Sequence, residues 1–217
     1  MSHSGQPVAQ RQPAPLRCCL LSGGASRRMG RDKALLSHPE GGTWLERSLM
    51  LLGQLQLPIS VLSRHGSHLE LAWQLAATTA LPITPIPEPP PWEGPLLALH
   101  RLMQHHPDAA LLLCPVDMPW LNLDALQALR AAAAAEPGCI HLAHDGGRLQ
   151  PLLGVYPGQR ELSAHLAIAV AGGERRLQHW LASHPWRSVA LEARSLRNVN
   201  CPQDWSGGAE PVSNGVH

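Results

Sequence analysis

The stretch Arg17-Cys18-Cys19-Leu20-Leu21-Ser22-Gly23-Gly24-Ala25-Ser26-Arg27-Arg28-Met29-Gly30-Arg31-Asp32-Lys33 decides how the rest of the chain is read. The run Arg17 to Leu21 has the character of a buried strand, and it passes directly into a glycine-rich loop. That loop fits neither G-x-x-x-x-G-K-[ST] nor G-x-G-x-x-G, so neither the P-loop nor the dinucleotide fingerprint applies. Its chemistry still suits phosphate. Glycines let backbone N–H groups turn inward as an anion nest, Ser26 adds a small donor, and Arg27, Arg28, Arg31 and Lys33 place four cations within seven residues. Taken alone, the stretch also fits an ordinary turn followed by a solvated basic segment.

The composition sharpens the choice. Of 217 residues, 17 are Lys or Arg and 16 are Asp or Glu, and Lys33 is the only lysine. In a chain that otherwise uses arginine for every positive charge, a lysine here points to a place where a compact ammonium fits and a guanidinium does not. A net charge of +1 removes the broad basic field of a nucleic-acid binder, and no apolar run approaches the roughly 18 residues of a membrane span. Neither nucleic acid nor membrane is expected as a partner. An apolar share of 44% is enough to fill one core, with two domains possible but not required. Residues 1–15 read as a flexible leader without a signal-peptide core, 16–205 as the folded domain and 206–217 as a flexible tail. Cys18, Cys19, Cys114, Cys139 and Cys201 form an odd set without a C-x-x-C pair, which fits a reducing, cytoplasmic setting.

Beyond the first loop, short apolar runs alternate with stretches of helical period, the pattern of β-α units around a mainly parallel sheet. Strands are expected at Ile59 to Leu62, Leu81 to Ile86 (weak), Ala109 to Cys114, Cys139 to Ala143 and Leu152 to Tyr156. The proline-rich segment Pro82 to Pro91 reads as an exposed loop. Helices are expected after the Thr43-x-x-Glu46 capping box as far as Pro58, then over His68 to Ala77, Pro95 to His105, Asn122 to Glu136, and around Leu162 to Leu181. The expected fold is an α/β, three-layer α/β/α sandwich, in which ligands bind beyond the carboxyl ends of the strands.

A second loop meets that rule. Cys114-Pro115-Val116-Asp117-Met118-Pro119 follows the strand at Ala109, and a carboxylate at a strand end, held between prolines, suits Mg²⁺ shared with substrate phosphates. The bland alternative for Asp117 is a helix cap or a solvated charge. Together the two loops describe a crevice for a nucleoside triphosphate.

At this point the residues resemble a family. Leu21 to Leu36 is similar to the signature of the molybdenum cofactor guanylyltransferases, the MobA-type nucleotidyltransferases. Gly94-Pro95-Leu96, Cys114 to Pro119, and Arg197-Asn198-Val199-Asn200 followed by Cys201-Pro202 resemble further segments of that family in the same order. The resemblance implies a Rossmann-like nucleotidyltransferase fold and transfer of GMP from GTP to the phosphate of molybdenum-molybdopterin, with release of pyrophosphate. It implies that Leu21, Ser22 and Gly23 approach the guanine and ribose through backbone groups, that Gly24, Arg28, Gly30 and Lys33 surround the triphosphate, and that Asp117 binds Mg²⁺. Lys33, Asp117 and Arg28 would carry catalysis; Asn198 and Asn200 would lie on the acceptor side. It also implies transient contact with molybdoenzyme apoproteins or cofactor-delivery proteins.

Two positions depart from the family pattern. An Asp is usual before Gly-Pro-Leu, and the nearest acid here is Glu88, which either accepts from the N1–H and amine of guanine or is an exposed loop charge. Where the family often has Asn after the second strand this chain has Ser63, a weaker nucleotide contact. The thirteen histidines contain only bare pairs, His65/His68 and His141/His144, without the further ligands of a zinc site. His144-Asp145-Gly146-Gly147 reads as a turn near the acceptor, where Arg148, Arg175 and Arg176 either meet a phosphate or lie on the surface. Cys114 reads as an inert buried thiol. The rival functions are a cytidylyl or other nucleotidyl transfer to a phosphorylated acceptor, and a non-catalytic cofactor carrier.

Overall fold

Cys18, Cys19 and Leu20 have no exposed surface in the computed structural model, which describes residues 14–24, 30–38, 40–200 and 204. Burial on both faces explains why this segment is a continuous apolar run instead of an alternating one. It forms β1 (Leu16–Leu21), near the middle of a seven-stranded sheet of order β3-β2-β1-β4-β6-β5-β7. The other strands are β2 (Ile59–Ser63), β3 (Ile83–Pro87), β4 (Ala110–Pro115), β5 (Ile140–His144), β6 (Leu149–Tyr156) and β7 (Trp186–Ala190). β1 pairs in parallel with β2 and β4, β2 with β3 and β5 with β7, whereas β6 runs antiparallel to both β4 and β5. The first four strands in the order therefore end their chains at the same edge.

Among the described residues six α-helices cover the sheet: α1 (Trp44–Gly53), α2 (Gly66–Thr79), α3 (Pro95–His105), α4 (Leu123–Ala135), α5 (Arg160–Ala171) and α6 (Leu177–Leu181). Leu45, Leu49 and Leu52 of α1, Ala72 of α2, and Leu126 and Leu129 of α4 pack against Cys18 and Leu20 on one face. On the other face, Leu96, Leu99 and Leu102 of α3, Leu162 and Leu166 of α5, and Trp180 of α6 pack against Cys19 and Leu113. Successive residues of β1 thus feed opposite layers, as strand geometry requires.

Helix starts follow the expected capping chemistry. Thr43 Oγ1 accepts from the Glu46 N–H at 3.2 Å while the Glu46 carboxylate accepts from the Thr43 N–H, and Asn122 Oδ1 accepts from the Ala125 N–H at 3.0 Å. Three expectations need correction. The helical stretch at Leu162 to Leu181 is two helices, because Gly172 and Gly173 interrupt it and Gly173 takes a φ of +88°. The proline-rich segment from Pro82 does not stay a loop throughout: its first half is β3, an edge strand, the place in a sheet that tolerates proline. β7 was not expected at all, since Trp186-Arg187-Ser188-Val189-Ala190 is an exposed edge without an apolar run.

Candidate functional site

A cavity of about 300 Å³ lies beyond the carboxyl ends of β3, β2, β1 and β4, lined among others by Glu88, Arg64, Gly23, Gly24, Lys33 and Asp117. Each of those four strands supplies a residue. Glu88 follows β3, Arg64 follows β2, Gly23 and Gly24 follow β1, and Asp117 follows β4. With adjacent strands ~4.8 Å apart, Glu88 and Asp117 stand three spacings, roughly 14 Å, apart along the sheet edge.

The Asp117 end is built around Lys33. Its Nζ donates to Asp117 Oδ2 at 2.8 Å, to Asn200 Oδ1 at 3.1 Å and to the Val199 carbonyl at 3.4 Å. These acceptors come from three directions, which an ammonium satisfies and a planar guanidinium does not. The Val199 N–H donates in turn to the Asp117 carbonyl at 2.9 Å, so the Asn198-Val199-Asn200 segment is docked on the second loop. Lys33 opens a short 3-10 turn (Lys33–Leu35) whose start is capped by Asp32, with Oδ1 accepting from the Ala34 N–H at 3.1 Å. Asp32 Oδ2 lies 2.7 Å from Nε2 of His68, a histidine only 1% exposed, whose Nδ1 faces Ser63 Oγ at 3.0 Å and Ser22 Oγ at 3.2 Å. A buried polar chain thereby fixes the turn that carries Lys33.

The same chain includes two of the expected nucleotide contacts, Ser22 and Ser63. Ser22 is turned inward: its N–H donates to the Leu62 carbonyl, and its own carbonyl accepts from Ser63 Oγ at 3.2 Å. Its backbone N–H and carbonyl each make a bond within the fold, and Ser22 is not among the residues lining the cavity. Ser63 is fully buried, and its hydroxyl meets Ser22 and His68 behind the loop. Leu21, Gly23, Gly24, Lys33, Glu88 and Asp117 line the cavity, while Gly30 is exposed, at a φ of +66°, outside its lining. Arg28 and Ser26, like the expected leader up to residue 13, Cys201 and the tail from residue 206, lie outside the described residues.

A second, larger cavity of about 780 Å³ adjoins the first and shares Pro95, Pro115, Asp117 and Leu152 with it. Asn198 and Asn200 line it, together with Arg148, Arg175 and Arg176. Asn198 is held by Gln150 of β6, its Nδ2 donating to Oε1 at 3.3 Å. The turn before β6 is tightened by Asp145, whose Oδ1 accepts from the Gly147 and Arg148 N–H groups, and these bonds hold its carboxyl below the usual range. Glu174 accepts from the Arg175 and Arg176 N–H groups and pairs with His179, which brings its pKa down to about 2 and orders the entry to α6. Cys114 takes no part: burial raises its thiol pKa far above the ordinary value.

Two groups at the Glu88 end escaped the sequence. Arg101 is 9% exposed and its Nη1 donates to Glu88 Oε1 at 2.8 Å. Trp92 lines the cavity, with the Arg64 guanidinium 5.2 Å from its ring centre. The signal for Arg101 was present: it falls four residues after Leu97 on a buried stripe of α3, where an unpaired cation is not tolerated.

As to metals, no group of three or more His, Cys, Asp or Glu side chains with ligand geometry occurs among the described residues. Of the four residues that line both cavities Asp117 is the one with a carboxylate, and one carboxylate completed by substrate phosphates and water is the donor set that Mg²⁺ accepts. No helix among the described residues is long and apolar enough to cross a membrane.

Comparison with known proteins bears on the family and the fold. The sequence pattern described as the MobA-like NTP transferase domain matches residues 18–189. A probable molybdenum cofactor guanylyltransferase of Rhodopirellula baltica is 36% identical over 201 residues, covering 88% of this chain and 90% of that protein. One from Mycobacterium tuberculosis is 35% identical over 191 residues, covering 86% and 89%. Among solved structures, the molybdopterin-guanine dinucleotide biosynthesis protein A of Archaeoglobus fulgidus superposes with a TM-score of 0.65 at 19% identity, covering 88% of this chain and 96% of that one. The 4-diphosphocytidyl-2C-methyl-D-erythritol synthase of Anaerococcus prevotii gives 0.70 at 9% identity, covering 90% and 96%. These structural likenesses establish the Rossmann-like nucleotidyltransferase fold and do not distinguish one base from another.

Proposed function

From its membership of the MobA-like NTP transferase family, to which this chain belongs, we propose that it transfers GMP from GTP to the phosphate of molybdenum-molybdopterin and releases pyrophosphate. The observation that carries this reading is that Asp117 lines both cavities, so a nucleotide in one and an acceptor in the other would meet beside a single carboxylate and its partner Lys33. A carrier has no need of two ligand sites joined at a charged pair.

In this mechanism the triphosphate lies toward Lys33 and Gly24, with the base toward Gly23 and Glu88. The acceptor phosphate lies in the second cavity, near Asn198, Asn200 and the arginines. One of its oxygens attacks the α-phosphorus in line, the bond to the β-phosphate breaks, and the new phosphorus–oxygen bond joins the two halves of the product. The attacking phosphate is already anionic near neutral pH, so no general base is required, and positioning with charge neutralisation does the work. Lys33 neutralises the phosphates and holds the Val199–Asn200 segment against the transfer point. Mg²⁺ held by Asp117 would supply further charge neutralisation between the phosphates. The four described cysteines, all free and buried, accord with a cytoplasmic protein.

Thermal-shift titration with GTP, CTP, ATP and UTP, each with Mg²⁺, tests the reading. GTP is expected to stabilise the protein most, and a larger shift with CTP would transfer the assignment to cytidylyl chemistry. Gly23 offers an independent check. A methyl group there would stand 2.8 Å from Glu88 Oε2, and Arg101 keeps that carboxylate from giving way. Gly23→Ala is expected to weaken GTP binding roughly tenfold by calorimetry; unchanged affinity would move the nucleotide away from this end of the cavity.

A further inference from the structure

We propose that Arg101 is a positioning residue that sets the base preference of the nucleotide cavity by holding Glu88 in a fixed orientation. This rests on the guanylyl-transfer reading in one respect, namely that the base lies at the Glu88 end.

The two ends of the cavity differ in a way that fixes this direction. Lys33 and Asp117 occupy the end formed by β1 and β4, where phosphate charge is met. The β2 and β3 end is lined by a carboxylate, an exposed indole and Arg64, which already stacks on that indole. An aromatic surface beside an acceptor-only side chain is suited to a purine with donors on its pairing edge, and guanine presents two there where adenine presents an acceptor at N1.

Such discrimination requires a carboxylate that does not move, and Glu88 is fixed from three sides. Its N–H donates to the Ser63 carbonyl at 2.8 Å. Its carbonyl accepts from Trp92 Nε1 at 2.9 Å. Its Oε1 accepts from Arg101 Nη1, leaving Oε2 toward Gly23 and the cavity. Arg101 does more than pair with this oxygen: its Nη2 donates to the Pro91 carbonyl at 2.9 Å, so one planar fork ties both the carboxylate and the Trp92 loop to α3. The ion pair lies largely out of water, with side-chain exposures of 11% and 10%, and that removes the usual freedom of a surface glutamate. Base reading by Glu88 and base stacking near Trp92 therefore share one anchor, buried on the apolar side of α3.

The test compares GTP with ATP, by calorimetric affinity with Mg²⁺ and by the KM of nucleotidyl transfer, in Arg101→Met, Arg101→Lys, Glu88→Gln and the Glu88→Gln/Arg101→Met pair. Arg101→Met is expected to lower the GTP-over-ATP ratio about tenfold or more, with the loss in KM for GTP exceeding that in kcat. Arg101→Lys keeps the charge but not the fork, so the ratio falls in the same sense. The double variant is expected to be no less selective than Glu88→Gln alone, because both act through one carboxylate. If Glu88→Gln loses selectivity while the Arg101 variants keep it, the role of Arg101 is wrong and the reading of Glu88 stands. If Glu88→Gln itself keeps the GTP preference, the base does not lie at this end, and the proposal falls with that premise. Should Arg101→Met not fold, Arg101→Lys decides, and wild-type selectivity in it overturns the proposal.

Discussion

Lys33→Ala is expected to lower pyrophosphate release from GTP and acceptor by roughly 10²-fold or more, the usual cost of removing one charge-assisted contact from a transferring phosphoryl group. Two losses combine. The cation proposed to meet the triphosphate disappears, and Asp117, Val199 and Asn200 lose the ammonium they share. Lys33→Arg restores the charge without the geometry, because a planar fork does not reach three acceptors converging on one point, and it is expected to recover only part of the rate. The measurement is initial-rate pyrophosphate release at saturating GTP, with a melting curve to show that the fold persists. A Lys33→Ala protein with the wild-type rate would remove Lys33 from the mechanism.

Asp117→Ala carries the second large effect, at least roughly 10³-fold in turnover, since a metal clamp on phosphates is worth several kcal/mol and each ~1.4 kcal/mol is tenfold. The diagnostic is the magnesium titration of the rate. In the wild type, turnover is expected to rise with Mg²⁺ and saturate; in Asp117→Ala that response flattens, and Lys33 loses its ion-pair partner. Since each residue is the other's neighbour at 2.8 Å, their effects are not additive, and Lys33→Ala/Asp117→Ala is expected to be less impaired than the product of the single losses. An Asp117→Ala enzyme with an unchanged magnesium response would sink the metal assignment.

How far the sequence reaches here depends on what each residue is buried against. β1 and β4 were readable because strands covered on both faces must be apolar throughout, and α1 and α4 because their caps leave a spacing in the chain. β7 was not readable because an edge strand with exposed residues needs no apolar pattern; its place is fixed by pairing with β5. The antiparallel direction of β6 depends on the tight turn from β5 and the irregular register at Leu142 and Ala143, which no periodicity records. In the site, Lys33 stood out as the one lysine of the chain, in the segment that leaves β1, and Asp117 as a carboxylate just past the end of β4. Ser22 and Ser63 lie in equally suggestive places but point inward, and one-dimensional spacing does not tell the two directions apart. Arg101 could be read only as an anomaly on an apolar helix face; its partner lies thirteen residues earlier, in a loop whose course the sequence leaves open.

The reach of Lys33 also bears on how the enzyme comes into being. Its acceptors lie 84, 166 and 167 residues further along the chain. At about 5–20 residues per second, a ribosome that has added Lys33 needs on the order of ten seconds or more to reach Asn200. During that interval β1 can exist, yet the lysine has no completed clamp and the second cavity lacks Asn198 and Asn200. Competence for transfer is thus withheld from the nascent polypeptide and arrives late, when the far end of the domain closes over its beginning.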